Sequence, residues 1–287
     1  MRALEGTAGD SGDGARQPIV LGSGWLGSAA ARSMGVRAVP RRSSSVTISV
    51  GAPVLVASGR SELPATTGVA EALATELRHL RSTLDACADA GAARVIVLGS
   101  SDVAGLTGII DGQSPQAPRT PYAAIKAAIE DECLLRRSLG QNIVVVRLAP
   151  VHGPGKPRTV TLCKVARWPI VALPNGGEHS VGFVLLDDAI AAIAWLLEND
   201  AAAPVVSVGA GAVPLRELLR ALASAQGSSM TIARLPRVPR FVLTEGVRYP
   251  DRVEWLLRLA LPRAIAMDVP VPISPLAMAA KRLLDPC

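Results

Sequence analysis

Three glycines near the start of the chain constrain its fold more than any other feature. Gly22, Gly24 and Gly27 form the pattern G-x-G-x-x-G directly after a short apolar segment, and an alanine-rich helical pattern begins at Trp25. In such a turn the first glycine permits the sharp bend, the second lets backbone amides approach a pyrophosphate, and the third lets the helix lie close to the strand. We predict a dinucleotide-binding turn here, with an ordinary glycine-rich turn as the alternative.

Strands and helices alternate along the rest of the chain. Residues 94–98 and 143–148 are continuous apolar runs, which are typical of parallel strands covered on both faces. Residues 68–90 carry leucines at three- and four-residue steps, which predicts an amphipathic helix. The other predicted elements are strands at 18–22, 36–40, 46–57 (bent or divided), 183–186 and 205–208, and helices at 25–34, 122–139, 187–197, 213–225, 252–261 and 275–284. This alternation predicts an α/β fold with a doubly wound parallel sheet, a Rossmann fold.

The character of the sequence changes twice, which suggests three segments. Residues 1–17 are rich in Gly, Asp and Ala and are predicted to be a flexible tail. Residues 18–150 are predicted to form the dinucleotide-binding domain. Residues 151–287 open on a Pro- and Gly-rich stretch and are predicted to be mainly a smaller C-terminal substrate-binding region, with residues 183–208 returning to the first domain.

Composition excludes several classes of protein. A hydrophobic fraction of 49% is too high for a disordered chain. The net charge of +6 comes from scattered basic residues, so no nucleic-acid partner is expected. No apolar run approaches the roughly 18 residues of a membrane span, and we expect neither a membrane partner nor a signal peptide. The four cysteines lack metal-binding spacing, so we expect no metal and a reducing, cytoplasmic location.

The tip of the second predicted strand indicates which dinucleotide is bound. An acidic residue about 20 positions after the glycine turn would bind the ribose hydroxyl of NAD. The sequence instead has Arg41 and Arg42, whose guanidinium groups suit a 2′-phosphate. We therefore predict NADP as the cofactor, with NAD possible. A solvent-exposed arginine pair is the alternative interpretation.

Tyr122 and Lys126 are candidates for acid–base chemistry. Their i, i+4 spacing at the start of a helix places both on one face. A phenol has a pKa of about 10, and a neighbouring ammonium favours the phenolate and lowers that pKa. Ser100 or Ser101, after the strand at 94–98, offers a hydroxyl for the same substrate oxygen. Both segments begin at the carboxyl ends of strands, where α/β folds bind ligands.

Six segments together resemble the extended short-chain dehydrogenase/reductase superfamily, which includes the NAD-dependent epimerases and dehydratases. They read VLGSGWLG, VLVASG, VIVLGSSDVAG, TPYAAIK, VVVRLAPVHGPG and FVLLDDAIAAI, and the match covers roughly residues 18–225. The resemblance implies that Ser100 holds the substrate oxygen, that Tyr122 is the acid or base, and that Lys126 contacts the cofactor ribose. The cofactor contacts that it implies come from Gly22, Gly24, Trp25, Leu26, Gly27, Ala57, Ser58, Tyr122, Lys126, Ala149 and Pro150.

The chain departs from that family in its length and in its substrate region. Only 29 residues separate Gly27 from Ala57, so the usual crossover helix is missing or vestigial. We expect a homodimer in which a second subunit covers the sheet face left open. The family often has an arginine that contacts the nucleotide of a nucleotide-sugar where this chain has Val181. This replacement disfavours a nucleotide-sugar substrate unless His179 or Arg167 takes the place of that arginine. The residues expected to bind substrate are Ser101, Asp102, His152, Arg167 and His179.

One acid follows the serine pair, where sugar dehydratases of this family carry two. The presence of one acid instead of two therefore disfavours dehydration. A helix-cap or turn role is the other interpretation of Asp102. We expect an NADP(H)-dependent oxidoreductase, a ketoreductase that acts on a keto-sugar, free or nucleotide-linked, or on another polar carbonyl of specialised metabolism. The alternatives are an epimerase or dehydratase with tightly bound NAD(P), and a non-catalytic nucleotide-binding protein.

Overall fold

A parallel sheet of six strands organises the protein. The computed structural model describes residues 17–40, 47–57, 68–105, 108–200, 203–236 and 263–284. With strands numbered along the whole chain, the sheet consists of β1 (Ile19–Leu21), β2 (Ala38–Val39), β3 (Pro53–Val56), β4 (Arg94–Leu98), β6 (Ile143–Leu148) and β11 (Val205–Val208). Their order is β11-β6-β4-β3-β1-β2, and every neighbouring pair is parallel. The predicted doubly wound Rossmann-type sheet is confirmed.

Helices cover both faces of this sheet. On one face lie α1 (Trp25–Ser33) and α5 (Leu186–Glu198), and on the other lie α2 (Val69–Asp89) and α3 (Pro121–Ser138). The strands serve both layers because successive side chains point to opposite faces: Val144 and Val146 pack toward α5, whereas Ile143 and Val145 pack toward α2 and α3. This double burial explains the continuous apolar runs that predicted the strands.

The C-terminal part of the described chain forms a second apolar cluster. It contains α4 (Pro157–Val165), α6 (Leu215–Ala225) and α7 (Leu276–Leu284). Four short strand pairs surround it and the sheet edge. These pairs are β5 (Gly108–Ile110) with β14 (Arg263–Ile265), β7 (Val151–His152) with β10 (Val184–Leu185), β8 (Ile170–Pro174) with β13 (Thr231–Leu235), and β9 (Ser180–Val181) with β12 (Val213–Pro214).

Some predicted boundaries need correction. The strand predicted at 46–57 is reduced to β3, because residues 49–50 are exposed and residues 50–51 form a turn instead of pairing. The Pro- and Gly-rich stretch after Pro150 contains α4, which the sequence pattern did not predict, since Pro157 occupies a first-turn position where proline is tolerated. The helix predicted at 252–261 and almost all of the predicted tail lie outside the described residues.

The connection from β2 to β3 is short, as expected. Its described residues, 40 and 47–52, contain no helix. Ile48 from this connection is buried against Leu21 and Val54, so the chain itself covers part of the sheet face that a crossover helix would cover. In the described ranges no helix has the length and apolar character needed to span a membrane.

Candidate active site

The glycine turn has the geometry that a dinucleotide requires. Gly22 has a φ of +124°, which is accessible mainly to glycine, and its amide donates to the Val39 carbonyl. A Cβ on Gly27 would lie 2.0 Å from the Gly22 carbonyl oxygen, so only glycine lets α1 approach β1 this closely. At Gly24, in contrast, a Cβ would meet no described atom within 4 Å. Among the described residues, the turn is therefore closely packed at Gly27 and has open space at Gly24. A pyrophosphate would fit in that space.

Trp25 and Leu26 begin the helix that faces this open space. Gly24 is the N-cap of α1 and provides no side-chain cap, so the first amides of the helix are available to an anion. The first turn of α1 also contains no acidic residue. Ala57, just after β3, lies beside the turn: its amide donates to the Leu21 carbonyl. The structure thus places Trp25, Leu26 and Ala57 at the glycine turn, and their contact with a cofactor stays a prediction.

Ser100, Ser101 and Asp102 follow β4 in a short 3-10 turn. The Ser100 side chain is buried and accepts a hydrogen bond from the Asp102 amide at 3.3 Å. Because this bond uses an acceptor site, the hydroxyl hydrogen of Ser100 is left to donate to a substrate oxygen. Ser101 is fully buried, and its Oγ has no hydrogen-bond partner among the described residues.

Tyr122 and Lys126 reach the same end of β4 from α3. Thr120 caps this helix by accepting from the Ala123 amide, and Pro121 occupies its first turn. The cap fixes the start of the helix, so Tyr122 lies in the first turn. The buried Lys126 ammonium donates to the Leu98 carbonyl at 3.3 Å and lies 5.9 Å from the centre of the Tyr122 ring.

A buried ion pair holds α3 against the sheet one turn beyond Lys126. Arg147 on β6 donates to both carboxylate oxygens of Glu130, at 2.9 and 2.6 Å. The same guanidinium donates to the carbonyl oxygens of Asp111 and Ser114. Arg147 therefore connects the helix that carries Tyr122 to the sheet and to the loop after β5. Glu130 and Arg147 lie 17 residues apart on different elements, so no local spacing in the sequence indicates this pair.

His152 is buried at the end of β7. Its Nδ1 lies 3.2 Å from the Thr159 hydroxyl, which also accepts from the Gly153 amide. Burial, with smaller contributions from the charges of Lys156 and Arg158, lowers the pKa of His152 to about 3. The imidazole is consequently neutral at physiological pH. Ala149 and Pro150 precede β7, and the Ala149 amide donates to the Val208 carbonyl at the end of β11.

The structure places the remaining candidates less centrally or does not describe them. Arg167 is exposed and donates to the Gln226 side chain at 2.6 Å, and the His179 carbonyl accepts from the Leu215 amide, so both residues lie beside α6. Arg41, Arg42 and Ser58 lie outside the described residues. In the described part of the chain, no group of three or more His, Cys, Asp or Glu side chains could hold a metal ion.

Arg263 is the residue at this site that the sequence did not indicate. Its guanidinium donates to Asp102 at 2.6 Å, and both side chains are almost completely buried. Asp102 therefore lies in a turn, as its alternative interpretation proposed, but it is also held by a distant cation. No local pattern around Arg263 distinguishes it from other arginines, because the partner is 161 residues away.

Comparison with known structures agrees with this architecture. RMD from Pseudomonas aeruginosa, complexed with NADPH, superposes with a TM-score of 0.66 at 18% identity, over 93% of this chain and 98% of that chain. MoeE5, in complex with UDP-glucuronic acid and NAD, gives 0.65 at 20% identity, over 93% and 97%. UDP-N-acetylglucosamine 4-epimerase from Methanobrevibacter ruminantium M1, in complex with UDP-N-acetylmuramic acid, gives 0.57 at 19% identity, over 85% and 96%. At identities this low the likeness establishes the fold.

Sequence comparison identifies the family. No curated protein matches the chain. The model of the NAD dependent epimerase/dehydratase family matches residues 54–209, which run from β3 to the end of β11 and include Ser100, Tyr122 and Lys126. The resemblance drawn from the six sequence segments is thus confirmed. Because the match spans more than half of the sequence, the chain belongs to the NAD dependent epimerase/dehydratase family.

Proposed function

We propose that the protein is an NADP(H)-dependent oxidoreductase that reduces the carbonyl group of a keto-sugar, free or nucleotide-linked, or of another polar carbonyl compound. The observation that carries this proposal is the buried Lys126 ammonium, which donates to the Leu98 carbonyl at the carboxyl end of β4 and lies 5.9 Å from the centre of the Tyr122 ring, in a chain whose glycine turn has no described atom within 4 Å of a Cβ on Gly24. Family membership supports the broader class, an NAD(P)-dependent enzyme of the oxidoreductase or epimerase/dehydratase type.

Each of the three side chains has a defined task in carbonyl reduction. A bound nicotinamide dinucleotide supplies the hydride. Tyr122 donates the proton to the carbonyl oxygen, and Ser100 donates a hydrogen bond to the same oxygen. Lys126 places a positive charge beside the phenol, which stabilises the phenolate left after proton donation, and it would also hold the ribose of the cofactor. The backbone amides at the start of α1 would hold the pyrophosphate.

The cofactor preference rests on Arg41 and Arg42. These two arginines follow β2 in the sequence, and their guanidinium groups would suit the 2′-phosphate that distinguishes NADPH from NADH. NADPH is bound in the RMD structure and NAD in the MoeE5 structure, so this fold accommodates both cofactors. We propose NADP as the preferred cofactor and NAD as an accepted one.

The Asp102–Arg263 pair argues against water elimination. Dehydration needs an acid that is free to exchange protons with the sugar, whereas the Asp102 carboxylate is bound to a guanidinium in a nearly closed environment. Reduction, which needs only Ser100, Tyr122 and Lys126, makes no such demand on Asp102.

Epimerisation with a tightly bound cofactor is the second candidate. The family match favours it, as does the likeness to a UDP-N-acetylglucosamine 4-epimerase. An epimerase would return the hydride to its own substrate, so cofactor would co-purify and NADPH would not be consumed. A purely nucleotide-binding role is less consistent with the site, because binding alone does not require Tyr122 beside Lys126.

The decisive experiment is a binding and turnover panel. Thermal-shift titrations with NADPH, NADH, UDP, dTDP and GDP identify the nucleotides that the chain binds, and NADPH absorbance then reports turnover with nucleotide-linked 4-keto-sugars. We expect NADPH to stabilise the protein more than NADH and to be consumed with at least one keto-sugar. Co-purified NAD with no net consumption would favour the epimerase, and the absence of dinucleotide binding would overturn the proposal.

A homodimer also stays a proposal. β2 is the edge strand of the six-stranded sheet, and the described residues of the connection that follows it, 40 and 47–52, contain no helix to cover the sheet face there. A second copy would cover this face, and the mass in solution tests the idea: twice the chain mass is expected, and a monomer would contradict it. The cytoplasmic location inferred from the cysteines is likewise a prediction.

A further inference from the structure

We propose that Arg263 binds a carboxylate group of the substrate, so that the substrate is a keto-sugar acid or another carbonyl compound with an acidic group. The inference rests on the proposed function, since it names a substrate class for the same site. It assigns a binding role to a residue that neither the sequence motifs nor the family resemblance indicated. The supporting observations are the unpaired edge of the Arg263 guanidinium, its burial, and its contact with the turn after Ser100.

The Arg263 guanidinium uses one of its three nitrogens within the described chain. Nη1 donates to the Asp102 carboxylate at 2.6 Å. Nε and Nη2 are buried, and neither has a hydrogen-bond partner among the described residues. Because a guanidinium is planar and keeps its charge, these two nitrogens present N–H donors side by side. Arg263 therefore has a bidentate donor edge that the described part of the chain leaves unused.

This unpaired edge lies in a dry environment. The Arg263 side chain is only 10% exposed, and water reaches neither Nε nor Nη2. A buried charged donor without an acceptor costs free energy, and such groups are normally paired in folded proteins. An acceptor that a ligand brings would remove this cost. Since both nitrogens are closed to water in this structure, binding at the edge includes a small displacement of Arg263 or of its neighbours.

The position of Arg263 connects the unpaired edge to the candidate active site. Its partner Asp102 belongs to the turn Ser101–Ala104, and the Asp102 amide donates to the Ser100 hydroxyl at 3.3 Å. A Cβ on Gly182 would lie 3.6 Å from the Arg263 Cδ, so the side chain runs along the Gly182 backbone before it reaches Asp102. A substrate held by Ser100 would therefore lie against the turn to which Arg263 is bound.

The geometry of the unpaired edge selects the ligand chemistry. The two oxygens of a carboxylate lie in one plane and match two parallel N–H donors, which makes such bidentate pairs strong and directional. A sugar hydroxyl would fill only one of the two donors, and it carries no charge. Phosphate offers a similar pair of oxygens. The carboxylate is favoured because a nearly closed site that already contains Asp102 accepts a planar, singly charged group at a lower desolvation cost than a doubly charged one.

The test compares acidic sugars with neutral sugars of the same shape. UDP-glucuronate and UDP-glucose, like free glucuronate and glucose, differ only in whether C6 is a carboxylate or a hydroxymethyl group. Calorimetric titrations use the NADPH-loaded chain and Arg263→Lys, which keeps a cation for Asp102 but lacks the planar pair of donors. Arg216→Lys is the matched control, because Arg216 forms an exposed pair with Glu178. Glucose 6-phosphate carries a phosphate at the same carbon.

We expect the unaltered chain and Arg216→Lys to bind the acidic member of at least one pair about tenfold to a hundredfold more tightly than the neutral member. Arg263→Lys should bind both members about equally. Tighter binding of glucose 6-phosphate than of glucuronate, lost in Arg263→Lys, would overturn the carboxylate and assign the edge to a phosphate.

The remaining outcomes separate this inference from the proposed function. No preference for an acidic sugar, in a chain that binds NADPH, would overturn the inference alone, and so would a preference that survives in Arg263→Lys. Melting temperatures establish that the variants are folded. If Arg263→Lys does not fold, the paired sugars in the unaltered chain still decide, because equal affinities contradict the inference. A chain that binds no NADPH would overturn the proposed function and the inference with it.

Discussion

The Asp102 carboxylate accepts a hydrogen bond from Arg263 at 2.6 Å, and the two side chains are only 9% and 10% exposed. This pair connects the turn that carries Ser100 to β14, which lies 161 residues later in the chain. The turn after β4 is therefore fixed both by the local bond between Ser100 and the Asp102 amide and by a distant element. The Asp102–Arg263 pair therefore helps to hold the turn in which Ser100 lies.

Removing the guanidinium from this pair should destabilise the protein. Arg263→Met leaves the buried Asp102 carboxylate without its cation, and breaking a buried pair in this way costs about 3–5 kcal/mol. Urea unfolding measures the change. Arg216→Met is the matched control, because the Arg216–Glu178 pair is exposed and should contribute less than about 1 kcal/mol. Equal losses in the two variants would show that the Asp102–Arg263 pair does not anchor the turn.

Tyr122→Phe should separate binding from chemistry. The variant removes one hydroxyl from the start of α3 and leaves the glycine turn and Lys126 in place, so NADPH affinity should be nearly unchanged. Turnover should fall by about a hundredfold or more, because the proton donor is lost. NADPH consumption with a responsive keto-sugar measures the rate, and fluorescence titration measures the affinity. A rate equal to that of the unaltered chain would refute the role of Tyr122.

Arg41 and Arg42 should determine the choice between dinucleotides. Replacing both with alanine removes the charges assigned to the 2′-phosphate, so NADPH affinity should fall about tenfold to a hundredfold, while NADH affinity changes little. Parallel titrations with both cofactors measure the ratio. Equal losses here would show that the arginines do not read the phosphate.

The buried His152 should make stability fall in mild acid. Its pKa is about 3 in the folded protein and near 6.5 when unfolded, so between these values the unfolded chain binds the extra proton. The free energy of unfolding therefore decreases by about 1.4 kcal/mol for each pH unit below 6.5 from this group alone. His152→Gln lacks the effect. Urea unfolding of both proteins at pH 7 and pH 5 tests this: the gap between them should change by about 2 kcal/mol, and a constant gap would contradict it.

The sheet and the central residues were predictable because their signals are local. Burial on both faces makes β4 and β6 continuous apolar runs, and the leucine spacing of α2 reflects one buried helix face. The position of Ser100 after β4 and of Lys126 beside the Leu98 carbonyl also followed from sequence, since α/β folds bring such residues to the carboxyl ends of their strands. The shared task of Ser100, Tyr122 and Lys126 stays a prediction. Those predictions needed no knowledge of distant contacts.

Features that depend on distant contacts could not be predicted in this way. The pairing of β14 with β5 accompanies the contact of Arg263 with Asp102, and no local sequence pattern distinguishes Arg263 from other arginines. The helix α4 was not predicted because proline and glycine residues surround its start, although Pro157 suits a first turn. The contact of the loop after β7 with Trp25 joins residues 129 positions apart, and no local pattern indicates it.

The placement of a dinucleotide on the glycine turn is tested most directly by NADPH titration of Gly24→Thr. Gly24 has a φ of −68° and an open front, and threonine is as acceptable as glycine at an N-cap, so the fold should tolerate the change. Gly68→Thr is the matched control, because Gly68 is also a helix N-cap with open space around its Cα. We predict that both variants have the melting temperature of the unaltered chain. NADPH affinity should be lost in Gly24→Thr and retained in Gly68→Thr. Equal NADPH affinity in both variants and in the unaltered chain would contradict the account.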